Sequence, residues 1–568
     1  MSQLSQPSES SRTANPETQS IPVVNSSLSG ASAAKSSAVM AAGTLVSRVL
    51  GLLKGILLAA AIGVTTDIAN TFSLANTLPT YLYLMIAGGL LNGVLVPQII
   101  KASQKPDRGA DYLGRLLSLV LIVLVAITVA MTLGAPWILD ATTDLSPAQI
   151  ELATAFAYWC FPQIFFVGLY AFVGQILNAH NAFGPYTWAP VLNNVIAISV
   201  LAVFIGVYGA YTGGAPRTLD TWTTSQTWML AGGMTLGIVM QGLILLWPLK
   251  RLRLGIRLKL GWRGIGLGHA ARLAGFSVMT VVIGNLTYLV FTWLASRASR
   301  EGDPGIAGNA ALESANQIYI LPHSIVVISL ATVLFNRMSR DFARGSVAGV
   351  RRTLSYGLRT SAVATIFSAG VMVVVAGQIG MVFTSGAQAQ AAILGQIVVL
   401  LALGAPLFGA NYVMNRVFYA AENARTPFVI QVMLSVVMIA MSLIALWFPP
   451  QFIVPWIAIT FTVSDVIVVA ISHRFLKRQV GDYGAGHILD VHIRICLATL
   501  VSAAFGALVL WVLGGYSSEG FAWSSILGAL VAIMAVTAVM GVVYLFMLKA
   551  LRVRELRELL RPVLQRFR

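Results

Sequence analysis

The stretch Ala179-His180-Asn181-Ala182-Phe183-Gly184-Pro185 returns, with substitutions, as Ala421-Glu422-Asn423-Ala424-Arg425-Thr426-Pro427. Pro162 precedes the first copy much as Pro406 precedes the second, and Leu78-Pro79 stands from Leu321-Pro322 by almost the same interval. Three separated anchors that keep one spacing mark an internal duplication. The duplicated unit is apolar almost throughout, and two related membrane bundles around a shared site are a common plan of secondary carriers.

The rest of the chain fits that plan. Hydrophobic residues make up 57% of the 568 and charged residues 10%, with mean hydropathy +0.80. A soluble domain carries about 25% charged residues. A helix needs roughly 20 apolar residues to cross a bilayer, and about 14 such stretches run from 38–64 to 524–548. The apolar runs are long and lack strict alternation, which favours helices over a barrel. The fold class is therefore an all-α polytopic membrane protein with about 14 transmembrane helices.

A formal net charge of +17 could suggest nucleic acid, but its placement argues against it. One set of connections holds Lys101, Lys105, Arg108 and Arg115, then Lys250 to Arg263, Arg337 to Arg352, and Arg474 to Arg478. The alternate connections hold Asp140, Asp144, Asp220, Glu301, Asp303 and Glu519, with Arg217, Arg297 and Arg300 set against them. Lys and Arg are retained on the cytoplasmic side, so the first set lies inside and both termini are cytoplasmic. The basic loops then face anionic lipid headgroups. The chain reads as a polytopic protein of inner-membrane type.

Residues 1–37 are rich in Ser, Pro, Asn and Gln and read as a disordered cytoplasmic tail. An N-lobe spans 38–250, a basic cytoplasmic linker 251–267, and a C-lobe 268–480, each lobe with about six helices and related by an axis along the membrane normal. Two further helices follow within 488–548. The segment 549–568 alternates leucines with Arg552, Arg554, Arg557, Arg561 and Arg566, the pattern of an amphipathic helix on the inner surface.

Ionisable groups at bilayer depth are costly unless they meet water, a partner or a substrate. Arg48 and Lys54 lie inside the first apolar run; six residues at about 100° each leave them about 120° apart, yet both are long enough to border a wide cavity. Lys54 could instead snorkel to an interface. Gly51 and Gly55 form a GxxxG pair that admits a close helix. Asp67 opens the second span, either as a helix-end charge or as a cavity group. That span continues through Asn70, Asn76, Pro79 and Tyr83, with Gly88, Gly89 and Gly93 beyond, and its repeat mate carries Glu313, Asn316, Gln317, Tyr319 and Pro322. Two proline-interrupted helices in matching places point to the substrate site, Pro79 and Pro322 being its hinges. His180 with Asn178 and Asn181 matches Glu422 and Asn423, with Arg416 a turn or two back; a gate and a simple helix cap fit these corners equally. Asp465 and Arg359 are isolated charges that could bind an ion or find a partner. The two cysteines and six histidines show no metal or disulfide spacing.

The stretches Ser47-Arg48-Val49-Leu50-Gly51, Ala75-Asn76-Thr77-Leu78-Pro79, Ala189-Pro190-Val191-Leu192-Asn193-Asn194 and Arg416-Val417-Phe418-Tyr419-Ala420 with Arg425-Thr426-Pro427 resemble the MurJ (MviN) family of lipid II flippases, most closely its actinobacterial members. The likeness covers about 38–550 and falls within the multidrug/oligosaccharidyl-lipid/polysaccharide exporter superfamily. It implies two lobes around a V-shaped cationic cavity, and a groove for the lipid tail on the last two helices. Arg48, Lys54 and Asp67 match the family's charged positions. The paired arginines of many members are here Tyr83 and Leu84, and the Asp-Arg before the later proline is Asn316-Gln317.

The expected function is outward translocation of lipid II by alternating access. Arg48 and Lys54 would meet the pyrophosphate, and Asp67, Asn76, Tyr83, Asn316 and Gln317 would line the site. No nucleotide-binding loop is present, so no cofactor is expected and the energy source is the membrane potential or an ion gradient through Glu313 or Asp465. Partners are lipid II, anionic lipids and, through the basic C-terminal segment, cell-wall synthesis or division proteins. Another exporter of the superfamily, a polyprenyl-phosphate enzyme and a non-transporting scaffold are the competing readings. The first would use carboxylates if it exported drugs, the second needs clustered carboxylates or histidines, and the third tolerates loss of Lys54.

Overall fold

The computed structural model describes residues 30–85, 99, 102, 106–107, 109–211, 217–261 and 267–555, without side-chain detail for 30–38, 41 and 267–274. Among them there is no strand. Helix α1 runs Gly30–Ile62, starting inside the stretch expected to be a disordered tail; the remainder of that tail lies outside the described residues. α2 is Asp67–Tyr83, α3 Ala110–Leu133, α4 Ala135–Thr142, α5 Pro147–Cys160, α6 Gln163–Ala179, α7 Phe183–Tyr208 and α8 Thr224–Arg251. The second half brings α9 Leu267–Ala298, α10 Asn309–Ala343, α11 Val347–Val374, α12 Ala376–Phe383, α13 Gln388–Ala420, α14 Arg425–Leu443 and α15 Pro450–Val480. Two helices, α16 Ala485–Val512 and α17 Ile526–Ala550, complete the described chain.

Thirteen described segments are long and apolar enough to span a membrane. α2 would be the fourteenth, but its continuation, with Gly88, Gly89 and Gly93, lies outside the described residues, as do 262–266 and 556–568, most of the expected amphipathic tail. The duplication is visible element by element. Each half has a long helix followed by a short one, α3 with α4 and α11 with α12. Pro162 breaks the span Pro147–Ala179 into α5 and α6, while Pro406 is absorbed inside the unbroken α13.

Packing explains why the chain needs lipid. Small residues and aromatics fill the lobe interiors, such as Ala61, Phe72, Phe156 and Phe161 in the first half and Phe291, Ala311, Leu394 and Val454 in the second. Large apolar side chains stand outside, among them Leu133, Val207, Leu500 and Phe546. In water each such exposed side chain would forgo about 1.5–3 kcal/mol of burial. Trp137 and Trp447, 75% and 81% exposed, stand at span ends, where amphipathic rings favour the headgroup layer. α16 and α17 pack on the C-lobe, where Tyr544 donates to the Val363 carbonyl at 2.6 Å and stacks on Phe367 with ring centres 4.6 Å apart. The basic linker lies along α3: Lys259 pairs with Asp111 at 2.6 Å and its N–H donates to Ser118 Oγ at 2.9 Å.

Candidate functional site

The lobes meet at one end of the bundle and part at the other. At the end where α1 stops, the Asp144 carboxylate takes Arg297 and Arg300 at 3.0 and 2.6 Å, and the Asp144 N–H donates to Ser296 Oγ at 2.7 Å. Gln149 donates from one Nε2 to Asp67 Oδ1 at 2.7 Å and to the Ser299 carbonyl at 2.9 Å. Asn70 Oδ1 accepts from the Ala310 N–H at 3.0 Å, and Thr65 donates to the Pro304 carbonyl at 2.7 Å. Gly308 makes the contact possible: a Cβ there would sit 2.5 Å from Asn70 Oδ1.

Towards the opposite end a cavity of about 720 Å³ opens between α1, α6, α7 and α10. Arg48, Lys54 and Gln317 line it, with Asn178, Tyr170 and Tyr186 across from them. The two cations, pointing to different sides of α1, nonetheless reach one compartment because the cavity wraps the helix. Among the described residues no carboxylate lines it. Behind it lies a chamber of about 80 Å³ bordered by Gly55, Asn76, Glu313 and, again, Gln317, room for several waters. Gln317 stands between the two spaces; its Nε2 donates to Glu313 Oε1 at 3.4 Å, and its Oε1 would lie 3.1 Å from a Cβ on Gly55. Glu313 is near enough to Lys54 for their charges to attract. Of the GxxxG pair, Gly55 therefore faces the opposite lobe, while Gly51 faces Asn194 of α7.

Several residues expected at the site stand elsewhere. Asp67 is the first residue of α2, after the cap Thr66, and its carboxylate belongs to the closed end. Tyr83 is buried in the N-lobe among Leu113, Ile164 and Phe172. Asn316 lies close to Tyr288, whose ring is 5.1 Å from that of Tyr81, and lines neither space. Asp465 faces Gly404 inside the C-lobe, and Arg359 pairs with Glu555 and reaches His487 at 3.3 Å.

The two prolines share a local consequence. After Pro322 the helix widens into a π turn over His323–Val327, and after Pro79 the same widening occupies 84–85. Such turns recur at functional positions. The first carries a residue that sequence reasoning missed: His323, buried and packed on Phe408 and Tyr412 with ring centres at 4.5 and 5.0 Å, its Nδ1 without a partner. Its place directly after a helix-interior proline was the available signal.

The matched corners are caps. Asn181 and Glu422 both hold left-handed backbone, φ 61° and 56°, and the next N–H reaches back to Leu177 and Phe418 at 2.8 and 2.9 Å. This pairs Asn181 with Glu422, one residue off the sequence alignment that set His180 against Glu422. Asn423 is then free to fold over the start of α14, its Oδ1 accepting from the Thr426 N–H at 3.1 Å. His180 bonds the Ile176 carbonyl at 2.8 Å. Arg416 stands one to two turns before the corner and lines a cleft that also includes Tyr419 and Pro427.

Comparison with known proteins agrees with this arrangement. The profile of the lipid II flippase MurJ family matches residues 58–494. A probable lipid II flippase MurJ of Rhizobium meliloti (strain 1021) is 27% identical over 408 residues, covering 70% of this chain and 72% of the relative. One from Vibrio cholerae is 24% identical over 528 residues, covering 88% and 94%. Among solved structures, lipid II flippase MurJ in an inward closed conformation superposes with TM-score 0.68 at 19% identity, over 93% of this chain and 100% of that one. An inward-facing multidrug resistance MATE transporter does so with TM-score 0.63 at 15% identity, over 76% and 95%. At these identities the solved structures speak for the fold alone.

Proposed function

Because the chain belongs to the lipid II flippase MurJ family, we propose that it carries undecaprenyl-pyrophosphate-linked disaccharide-pentapeptide from the inner to the outer leaflet by alternating access, with Arg48 and Lys54 as the pyrophosphate contacts. One observation carries this reading: among the described residues two cations and no carboxylate line a single cavity that is open at one end and closed at the other by contacts between the lobes. Each cation–phosphate contact is worth up to about 4 kcal/mol at an effective dielectric near 20. The bias of Lys and Arg towards one set of connections supports a cytoplasmic open end, an arrangement that suits loading from the inner leaflet.

In the empty site Glu313 is the countercharge of Lys54. An arriving pyrophosphate competes for that ammonium, and Gln317 follows whichever anion holds it. Asn76 and Gln317 meet sugar hydroxyls. The lipid tail stays in the bilayer, against the outer faces of α16 and α17. With negative charge moving outward, each charge gains about 2.3 kcal/mol per 100 mV of inside-negative potential. The emptied cationic cavity returns inward down the same gradient. No nucleotide or other cofactor is required in this cycle, and the protein acts as a carrier rather than an enzyme.

The deciding experiment is depletion in the cell followed by complementation. Depletion should accumulate lipid II in the inner leaflet, and Lys54→Ala should fail to relieve it. Full rescue by Lys54→Ala would favour a scaffold and overturn the carrier reading.

A further inference from the structure

The C-lobe holds a second cleft, of about 670 Å³, between α9, α13, α14 and α15. It is the repeat counterpart of the first cavity. That cavity uses α1, α6 and α7; this one uses α9, α13 and α14, again beside the matched corners. Its lining is mostly apolar, with Val281, Ile430, Leu434 and Val468, and is studded with the uncharged polar groups of Thr280, Asn411, Asn415 and Gln431; among the described residues its one charge is Arg416.

Three observations say what the cleft would recognise. The Arg416 guanidinium lies over the Tyr412 ring, 4.4 Å from its centre, and donates to that residue's hydroxyl. Among the described residues it forms no ion pair, whereas Arg297, Arg300, Arg359 and Arg494 each find a carboxylate. A stacked guanidinium with N–H groups left over is a pre-oriented fork for an oxyanion. Beside it, Asn415 donates to Asn411 Oδ1 at 3.3 Å, which also accepts from Ser472 at 2.9 Å, while Asn415 Oδ1 is buried with no donor. A cation next to an unfilled carbonyl acceptor matches a carboxylate next to an amide N–H, the end of a peptide.

We propose that the Arg416 cleft binds the terminal carboxylate of the substrate's peptide, with Asn415 accepting from the adjacent amide, while Arg48 and Lys54 hold the pyrophosphate in the opposite lobe. This rests on the carrier reading above. In that reading the two phosphates sit together on one lobe, so the anions left for the other lobe are carboxylates. The substrate then bridges the lobes through its own length, and both lobes register its presence. Arg416 becomes a specificity residue rather than part of a gate.

The test uses the full-length protein in nanodiscs and three synthetic probes: lipid II with its peptide, the same lipid with the peptide removed, and lipid II whose terminal carboxylate is a carboxamide. Dissociation constants are measured for wild type, Arg416→Gln and Lys54→Gln. Arg416→Gln should weaken intact lipid II by on the order of tenfold, as expected for loss of one charge-assisted pair, and leave the peptide-free lipid unchanged. Wild type should bind the carboxamide probe as weakly as Arg416→Gln binds intact lipid II. Lys54→Gln should weaken all three. Equal binding of the carboxamide and intact probes by wild type overturns the proposal, whatever the folding of the variant. So does an Arg416→Gln effect on the peptide-free lipid as large as on the intact one. If wild type binds none of the three, the carrier reading itself falls, and this assignment with it.

Discussion

Arg300 reaches across the lobe interface to Asp144, Nη1 to Oδ1 at 2.6 Å, and Arg297 takes the other carboxylate oxygen at 3.0 Å. Asp144 is largely covered while both arginines stay about half exposed. One carboxylate thus clamps the closed end from the N-lobe against two cations of α9 and the turn after it. Exposed pairs are worth about 0.2–1 kcal/mol each. Asp144→Asn should therefore shift the lobe equilibrium towards opening at this end by a few-fold, with the larger effect at low salt. Labelling of a cysteine placed at Ser299, which is buried at this seam, measures it, and an unchanged labelling rate would remove the clamp from the mechanism.

Gly308 gives a sterically defined test of the same seam. In Gly308→Ala the new methyl meets Asn70 Oδ1, and turning Asn70 away breaks its bond from the Ala310 N–H. A buried donor left unpaired costs about 1–3 kcal/mol. Transport should fall at least several-fold while the amount of folded protein in the membrane stays the same. Wild-type transport by Gly308→Ala would mean that the lobes do not need to close this tightly.

Glu313 beside Lys54 predicts opposite effects on binding and release. Glu313→Gln removes the resting countercharge, so pyrophosphate-bearing lipid should bind more tightly and turn over more slowly. Lys54→Ala should bind weakly. Equilibrium binding and flipping rates in proteoliposomes separate the two, and weaker binding by Glu313→Gln would argue that the carboxylate contacts substrate directly.

Collapse of an inside-negative potential should slow outward transport in loaded proteoliposomes, since about 2.3 kcal/mol per charge per 100 mV is withdrawn. Insensitivity to potential, together with dependence on an ion gradient, would move attention to Asp465.

The segment after α17 is fastened by Glu555, 3% exposed, to Arg359 of α11, with His487 of α16 at 3.3 Å from the same guanidinium. Removing one partner of a buried pair costs about 3–5 kcal/mol. Glu555→Ala should release this segment to proteolysis near residue 551 without preventing insertion of the spans. Equal protease resistance in the variant would show that packing of Val553 holds the segment instead.

Much of the architecture could be read from residue order. The interval between Pro79 and Pro322 and the repeated corner announced two related halves, and Arg48 with Lys54 stood out as cations inside an apolar run. Other positions were misplaced for identifiable reasons. Asp67 opens α2 in sequence, but only the approach of α5 and the turn after α9 reveals that it belongs to the closed end. Tyr83 and Asn316 lie on the expected helices but turn to other faces, Tyr83 into the N-lobe core and Asn316 towards Tyr288. The corner alignment slipped by one residue because sequence matches chemical identity, Asn181 with Asn423. Structure matches backbone role, and the left-handed positions are Asn181 and Glu422.

Composition and periodicity by themselves determined that this chain lives in a bilayer as two duplicated helical lobes, since apolar length and charge placement act locally and need no neighbour. Which groups share a compartment was decided only by tertiary structure. A cavity exists between elements far apart in the chain: Lys54 comes within electrostatic reach of Glu313, and Arg416 pairs with none of the described carboxylates, because of how the lobes pack. Electrostatic attraction depends on distance through space, and no spacing along the sequence encodes it.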